Sequence, residues 1–127
     1  MTATQPTARH LVGRSEDVPE GGRCVVDVAG TTIGVFRFQD RLYAYENVCP
    51  HQGGPVCQGR LVPRVVEVLD EGKRTRGQRF DEDDLHIVCP WHGFEFSLAT
   101  GTHPGNQRIR LREFPVTEED GNVYVTV

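Results

Sequence analysis

Short runs of alternating apolar and polar residues, separated by turn formers, make up most of this chain. Residues 1–8 carry no such pattern and are expected to be a disordered N-terminus. Arg9–Arg14 is a short strand candidate, and Ser15–Gly22 is rich in turn residues. Arg23–Val28, Thr31–Phe38 and Arg41–Tyr45 then read as strands, joined at Ala29-Gly30 and Gln39-Asp40 by tight hairpin connections. They predict a meander that runs into a first loop at Cys49. Leu85–Val88 is a strand leading to a second loop at Cys89, and Phe94–Leu98 alternates as the chain leaves it. Residues 99–106 read as a loop. Arg108–Val116 alternates with arginine outward and apolar residues inward, Glu118–Asn122 turns, and Val123–Val127 closes the sheet. There is no convincing helix period, no internal repeat and no low-complexity stretch. The pattern is that of an all-β antiparallel chain.

Composition narrows this further. A chain of 127 residues has the length of one domain. Its 14 glycines and 8 prolines suit many tight turns. A net charge of −4 argues against a nucleic-acid partner and suits docking on a basic protein surface. The N-terminal residues have no apolar run of signal-peptide length, and no segment approaches membrane-spanning length. The expectation is a cytoplasmic monomer that engages no membrane. In a reducing compartment its 4 cysteines are ligands or free thiols rather than disulfides.

The candidate chemistry sits in two loops, Cys49-Pro50-His51-Gln52-Gly53-Gly54-Pro55 and Cys89-Pro90-Trp91-His92-Gly93. Each offers one thiolate and one imidazole, and together they make a complete set of metal ligands. This arrangement resembles the Rieske iron–sulfur family, in which two cysteines hold one iron of a [2Fe–2S] cluster and two histidines hold the other. Asn47-Val48 before the first loop and Phe94-Glu95-Phe96 after the second are similar to the family too. The resemblance spans about residues 9–127.

The resemblance implies a Rieske-type antiparallel β-sandwich or barrel of three stacked sheets. Its cluster-binding subdomain would span about 46–104 and carry both ligand loops. One [2Fe–2S] cluster would be held by Cys49, His51, Cys89 and His92. Pro50 and Pro90 would stiffen the turns, and Gly53, Gly54 and Gly93 would bring backbone N–H groups close to the sulfides. Trp91 would shield the cluster, and Pro104 would lie in a third loop covering it. High-potential members carry an extra Cys in each loop, where this chain has Gly54 and Trp91. They also carry Ser and Tyr hydroxyls where it has Phe94 and Phe96. Fewer hydrogen bonds to sulfur imply a potential near the low end of the range, on the order of −150 mV.

Between His51 and Cys89 lie 37 residues, more than the family usually has. The excess falls at about 62–84 and is expected to form an extended hairpin or a mobile loop, either a tolerated surface insertion or a partner-docking element. Cys24 is expected in the core, and Cys57 is a free thiol near the first loop. His10 and His86 read as surface strand residues, while His103 falls in the third loop.

The functional expectation is a stand-alone ferredoxin that passes single electrons from a flavin-dependent reductase to a terminal oxygenase, both docking at the His51/His92 tip. The chain is too short for the second iron domain of a full Rieske oxygenase and shows no nucleophile–base pair, so it is not expected to convert a substrate. Two alternatives remain. One is a small Rieske-type subunit of a larger redox enzyme such as nitrite reductase. The other is a zinc-stabilised binding module, although interleaved Cys–His pairs on β-loops do not match zinc-finger spacing.

Overall fold

A computed structural model describes residues 8–50, 53–69, 75–91 and 93–127, with backbone alone between 64 and 83. The expected disorder of 1–7 lies outside the described residues. Ala8 exchanges backbone hydrogen bonds with Val127, both at 3.1 Å.

The meander forms as the pattern predicts. β1 (Arg9–Arg14) is followed by β2 (Arg23–Val28), β3 (Thr31–Phe38) and β4 (Arg41–Glu46). The β3–β4 turn places both Gln39 and Asp40 at positive φ, 51° and 61°. That is the backbone a two-residue hairpin turn needs. The Glu20 carboxylate accepts both of its N–H groups, at 2.8 and 2.7 Å.

The long insertion is an antiparallel ribbon of β5 (Arg60–Leu69) and β6 (Thr75–Val88). This settles the choice between hairpin and loop, although the tip at 70–74 lies outside the described residues. Leu85–Val88, expected as a separate strand, is the end of β6. Pro63 sits beside a register break in β5, where a missing N–H does least harm. β7 (Glu95–Ser97) pairs with only the last residues of β6, His86 to Val88.

The expected loop at 99–106 contains a small hairpin of β8 (Thr102–His103) and β9 (Asn106–Arg110). The single strand expected over 108–116 is instead broken into β9, β10 (Glu113–Phe114) and the start of β11 (Val116–Glu119). Its alternation continues, but its neighbour changes. The Leu111 N–H donates to Gly101 O at 2.8 Å, and the Arg112 carbonyl accepts from Glu46 N at 2.9 Å. The chain thus passes from one sheet to the next while Leu111 stays buried. Glu118 and Glu119, expected in a turn, lie in β11. Glu118 pairs with Arg37 at 2.6 Å and Glu119 with Arg9 at 2.9 Å. The turn is at 120–121, before β12 (Asn122–Thr126).

The strands assemble into sheets ordered β1-β12-β11, β10-β4-β3-β2 and β5-β6-β7, with β8-β9 as a small fourth pair. The β10-β4-β3-β2 sheet is the middle layer. Residues 33–36 of β3 are all buried, because side chains leaving both faces meet another sheet. Ile33, Val35 and Ala44 join Val123 and Val125 of the β12 sheet in one core. Phe36 and Tyr45 leave the opposite face and join Ile87, Phe96, Cys49, Cys57 and Cys89 in a second core.

Gly34 sits between these cores because the second comes so close. A Cβ there would stand 2.5 Å from Cys57 Cβ and 2.6 Å from its Sγ. Cys24, expected in the core, is half-buried, because β2 is the edge strand of its sheet. Replacing Gly34 by Ala overpacks the interface. It is expected to destabilise the fold by about 1–3 kcal/mol, read as a lowered thermal midpoint. An unchanged midpoint would show that the layers are not in contact at this point.

Candidate functional site: two thiol-bearing loops at one end of the second core

β4 and β6 each end by delivering a cysteine into the second core. Cys49 and Cys89 are 2 % and 1 % exposed, neither forms a disulfide, and their sulfurs lie in hydrogen-bonding contact. Burial pushes the Cys89 thiol above its usual range. The Cys49 sulfur pushes the same way, while a backbone N–H from Trp91 opposes it. Two buried sulfurs in contact repel as thiolates, so a shared cation is what would let both ionise.

Tight turns hold both cysteines. In the first loop, the Cys49 N–H donates to Gly54 O at 2.8 Å and the Gly53 N–H returns to Cys49 O at 2.7 Å. Gly53 has φ +78°, a left-handed conformation costly for other residues. A Cβ on Gly54 would lie 2.8 Å from the Trp91 ring and 3.0 Å from Cys89 Sγ, so the two loops meet across this residue. In the second loop, Cys89 N donates to Phe94 O at 2.7 Å, and Gly93 has φ +65°. Pro50, Pro90 and Gly93 are exposed, and Trp91 is 51 % exposed. His51 and His92 lie outside the described residues.

The supports behind the first loop are polar. Asn47 Oδ1 accepts from Cys57 N at 2.8 Å, and the Arg23 guanidinium donates to the carbonyls of Cys57 (2.8 Å) and Gly59. Tyr45 donates its hydroxyl to Leu98 O at 2.6 Å, which ties β4 to the stretch after the second loop. Cys57 is fully buried in the core that holds Cys49 and Cys89. Burial pushes its thiol up to about 12. Phe96 is buried and Phe94 half-buried, so neither position brings a hydroxyl to the site.

His86 is not a surface residue but is 2 % exposed. β6 is the middle strand of its sheet, so alternation does not send every second side chain to water. Its ring lies between Glu95 and Asp84, an acid two residues earlier on the same strand face. That spacing was the available signal. His103 stacks on Phe94, with centroids 4.3 Å apart, and donates from Nδ1 to Glu95 O at 2.9 Å. Pro104, expected in a third loop covering the cluster, lines a cavity beside His86 and His103.

Comparison with known proteins is consistent throughout. A family model described as Rieske [2Fe–2S] domain matches residues 8–115. A human Rieske domain-containing protein is 28% identical, the match covering 91% of this chain and 73% of that one. The 3-phenylpropionate/cinnamic acid dioxygenase ferredoxin subunit of Photorhabdus laumondii is 27% identical, covering 88% of each chain. Among solved structures, a putative NADH-dependent nitrite reductase small subunit from Mycobacterium tuberculosis superposes with a TM-score of 0.69 at 17% identity, covering 97% of each. At that identity the likeness speaks for the fold.

The burial of these thiols sets their reactivity. In the folded protein an alkylating reagent is expected to label Cys24 before the three buried thiols, and slowly, since burial raises its thiol as well. Mass spectrometry of the peptides checks this. Labelling of Cys57 before unfolding would contradict its place in the core.

Proposed function

The chain belongs to the Rieske [2Fe–2S] domain family, and we propose that it is a one-electron carrier holding a single cluster on Cys49, His51, Cys89 and His92. The observation that carries this reading is the pair of buried, reduced, touching cysteines at the ends of β4 and β6. Their donor set fits an iron–sulfur centre: soft sulfur ligands, excluded water, and a position at Gly54 where no side chain fits. When bound, the cluster supplies reversible uptake of one electron.

The chain's own residues supply the rest. Phe36, Tyr45, Ile87 and Phe96 keep water from the thiols. Arg23 and Asn47 fix the backbone behind the first loop, and Tyr45 fixes that behind the second. The cluster-binding subdomain is read as residues 46–104, inside a domain of 9–127. Among the described residues no group is arranged for substrate conversion, and the dioxygenase ferredoxin subunit it resembles supports a role in a multi-component oxidoreductase system.

Partner docking fits the surface around the loops. Val48 and Trp91, 46 % and 51 % exposed, are two of the three exposed large apolar side chains among the described residues. Pro50, Pro90 and Gly93 are exposed as well and uncharged, and exposed apolar side chains of this kind suit the centre of a transient interface. The partners read from the resemblance are a flavin-dependent reductase and a terminal oxygenase, visited in turn. The P. laumondii relative, a dioxygenase ferredoxin subunit, supports the oxygenase. No helix among the described residues is long and apolar enough to cross a membrane, which is compatible with work in the cytoplasm.

Anaerobic optical redox titration tests the reading. The expected result is a visible chromophore that bleaches on taking up one electron near the low end of the family range, on the order of −150 mV. Cys49→Ser and Cys89→Ser are expected to lose it, and His51→Cys or His92→Cys to lower the potential or lose the cluster. A colourless protein purified with its metal would support a zinc module instead and overturn electron transfer.

Trp91→Ala is expected to leave the potential in place and weaken partner binding by about 2 kcal/mol, a roughly 30-fold loss of affinity. Titration against the reductase checks this. Unaltered affinity would remove Trp91 from the interface.

A further inference from the structure

A second group of ionisable side chains lies apart from the thiols. His86 is buried, with Nδ1 against Glu95 Oε1 and Nε2 3.0 Å from Asp84 Oδ1. Carboxylates only accept hydrogen bonds, and a neutral imidazole donates from one nitrogen only. Both contacts are satisfied together when the ring carries both protons. β6 contributes Asp84, β7 contributes Glu95, and β8 contributes His103, which donates to the Glu95 carbonyl. Opposite His86 on β5 is the uncharged Val62, and opposite it on β7 is Ser97. A cavity of about 360 Å³ opens on the group, lined by Asp84, His86, Ser97, Thr100, His103 and Pro104 among others. It is polar and large enough to hold water that exchanges protons with the ring.

The group sits at the root of the second loop. His86 precedes Cys89 by three positions, and Glu95 follows His92 by three. Glu95 pairs with Val88 and His86 with Ser97, so the His86–Glu95 bond runs diagonally across the two strands and closes the loop's base. Ile87 and Cys89 pack into the core, while His86 leaves the other face of β6 toward the cavity.

We propose that His86 is a positioning residue that takes up a proton when the protein takes up its electron. The proposal rests on the electron-carrier reading. A cluster held in part by Cys89 would gain one negative charge with each electron it took up, and this would raise the proton affinity of a base at the root of that loop. The proton comes from solvent through the cavity and binds the His86 nitrogen facing Asp84. When the electron leaves for the acceptor, the proton returns to solvent. Net charge in this part of the molecule is then unchanged over the cycle.

The sign follows from the ring's charge. Protonated His86 favours the reduced state, so the potential falls as rising pH strips that proton. His86→Gln removes the positive charge. Its potential is expected below that of the wild type at acidic and neutral pH, converging with it at alkaline pH. His51 and His92 are present in both proteins, and Glu95→Gln separates the part played by the carboxylate that touches the His86 ring.

The test is the midpoint potential as a function of pH for wild type and His86→Gln, with Glu95→Gln as a second variant. It is joined by NMR of nitrogen-labelled histidine in the wild type. Support consists of a step present in the wild type and absent from the variant with an unchanged visible spectrum, together with a His86 ring that is doubly protonated in the reduced protein and singly protonated in the oxidised protein at the same pH. Superimposable potential curves overturn the proposal and leave the carrier reading intact. So does a His86 ring whose protonation state is the same in the oxidised and the reduced protein across the pH range, which needs no variant that folds. A wild type with no reversible chromophore overturns the carrier reading and the proposal with it.

Discussion

The contact between the Cys49 and Cys89 sulfurs is the constraint around which the molecule is built. Two cysteines forty positions apart must meet in a dry place without forming a disulfide. Two of the sheets contribute to that requirement. β3 and β4 supply the wall of Phe36 and Tyr45, β6 and β7 supply Ile87 and Phe96, and Gly34 lets Cys57 fill the gap between them. Desolvation makes the site costly for thiolates and therefore favourable for a cation that binds both.

Much of this was legible in the amino-acid sequence. The meander, the two loops and their order could be read because period-2 alternation and turn residues are local signals. The pairing of Gln39-Asp40 with a tight turn was likewise local. What could not be read depends on neighbours. Residues 108–116 alternate without interruption, yet the chain changes sheets at Leu111 because its hydrogen-bond partners change from Gly101 to Glu46. His86 looked exposed because alternation assumes one wet face, and β6 has none at that point. Cys24 looked buried among valines, but an edge strand covers it only in part.

The same limit applies to polar supports. Arg23 and Asn47 carry no motif, yet they hold the backbone of the first loop from strands distant in sequence or across a turn. Glu95 appears in the sequence only as a flank of the second loop. Its side chain meets His86 and its carbonyl meets His103, so one residue links three strands around the loop's root. Such residues become recognisable once the sheets have brought their partners together.

The division of the interior into two cores bears on how far a change at the loops reaches. One core, with Ile33, Val35, Ala44, Val123 and Val125, contains neither Cys49 nor Cys89. The sheets that enclose it bury their apolar faces without help from the loops. The other core closes over sulfur. The two halves of the interior therefore depend differently on sulfur: a change at Cys49 or Cys89 takes a neighbour from the second core and none from the first.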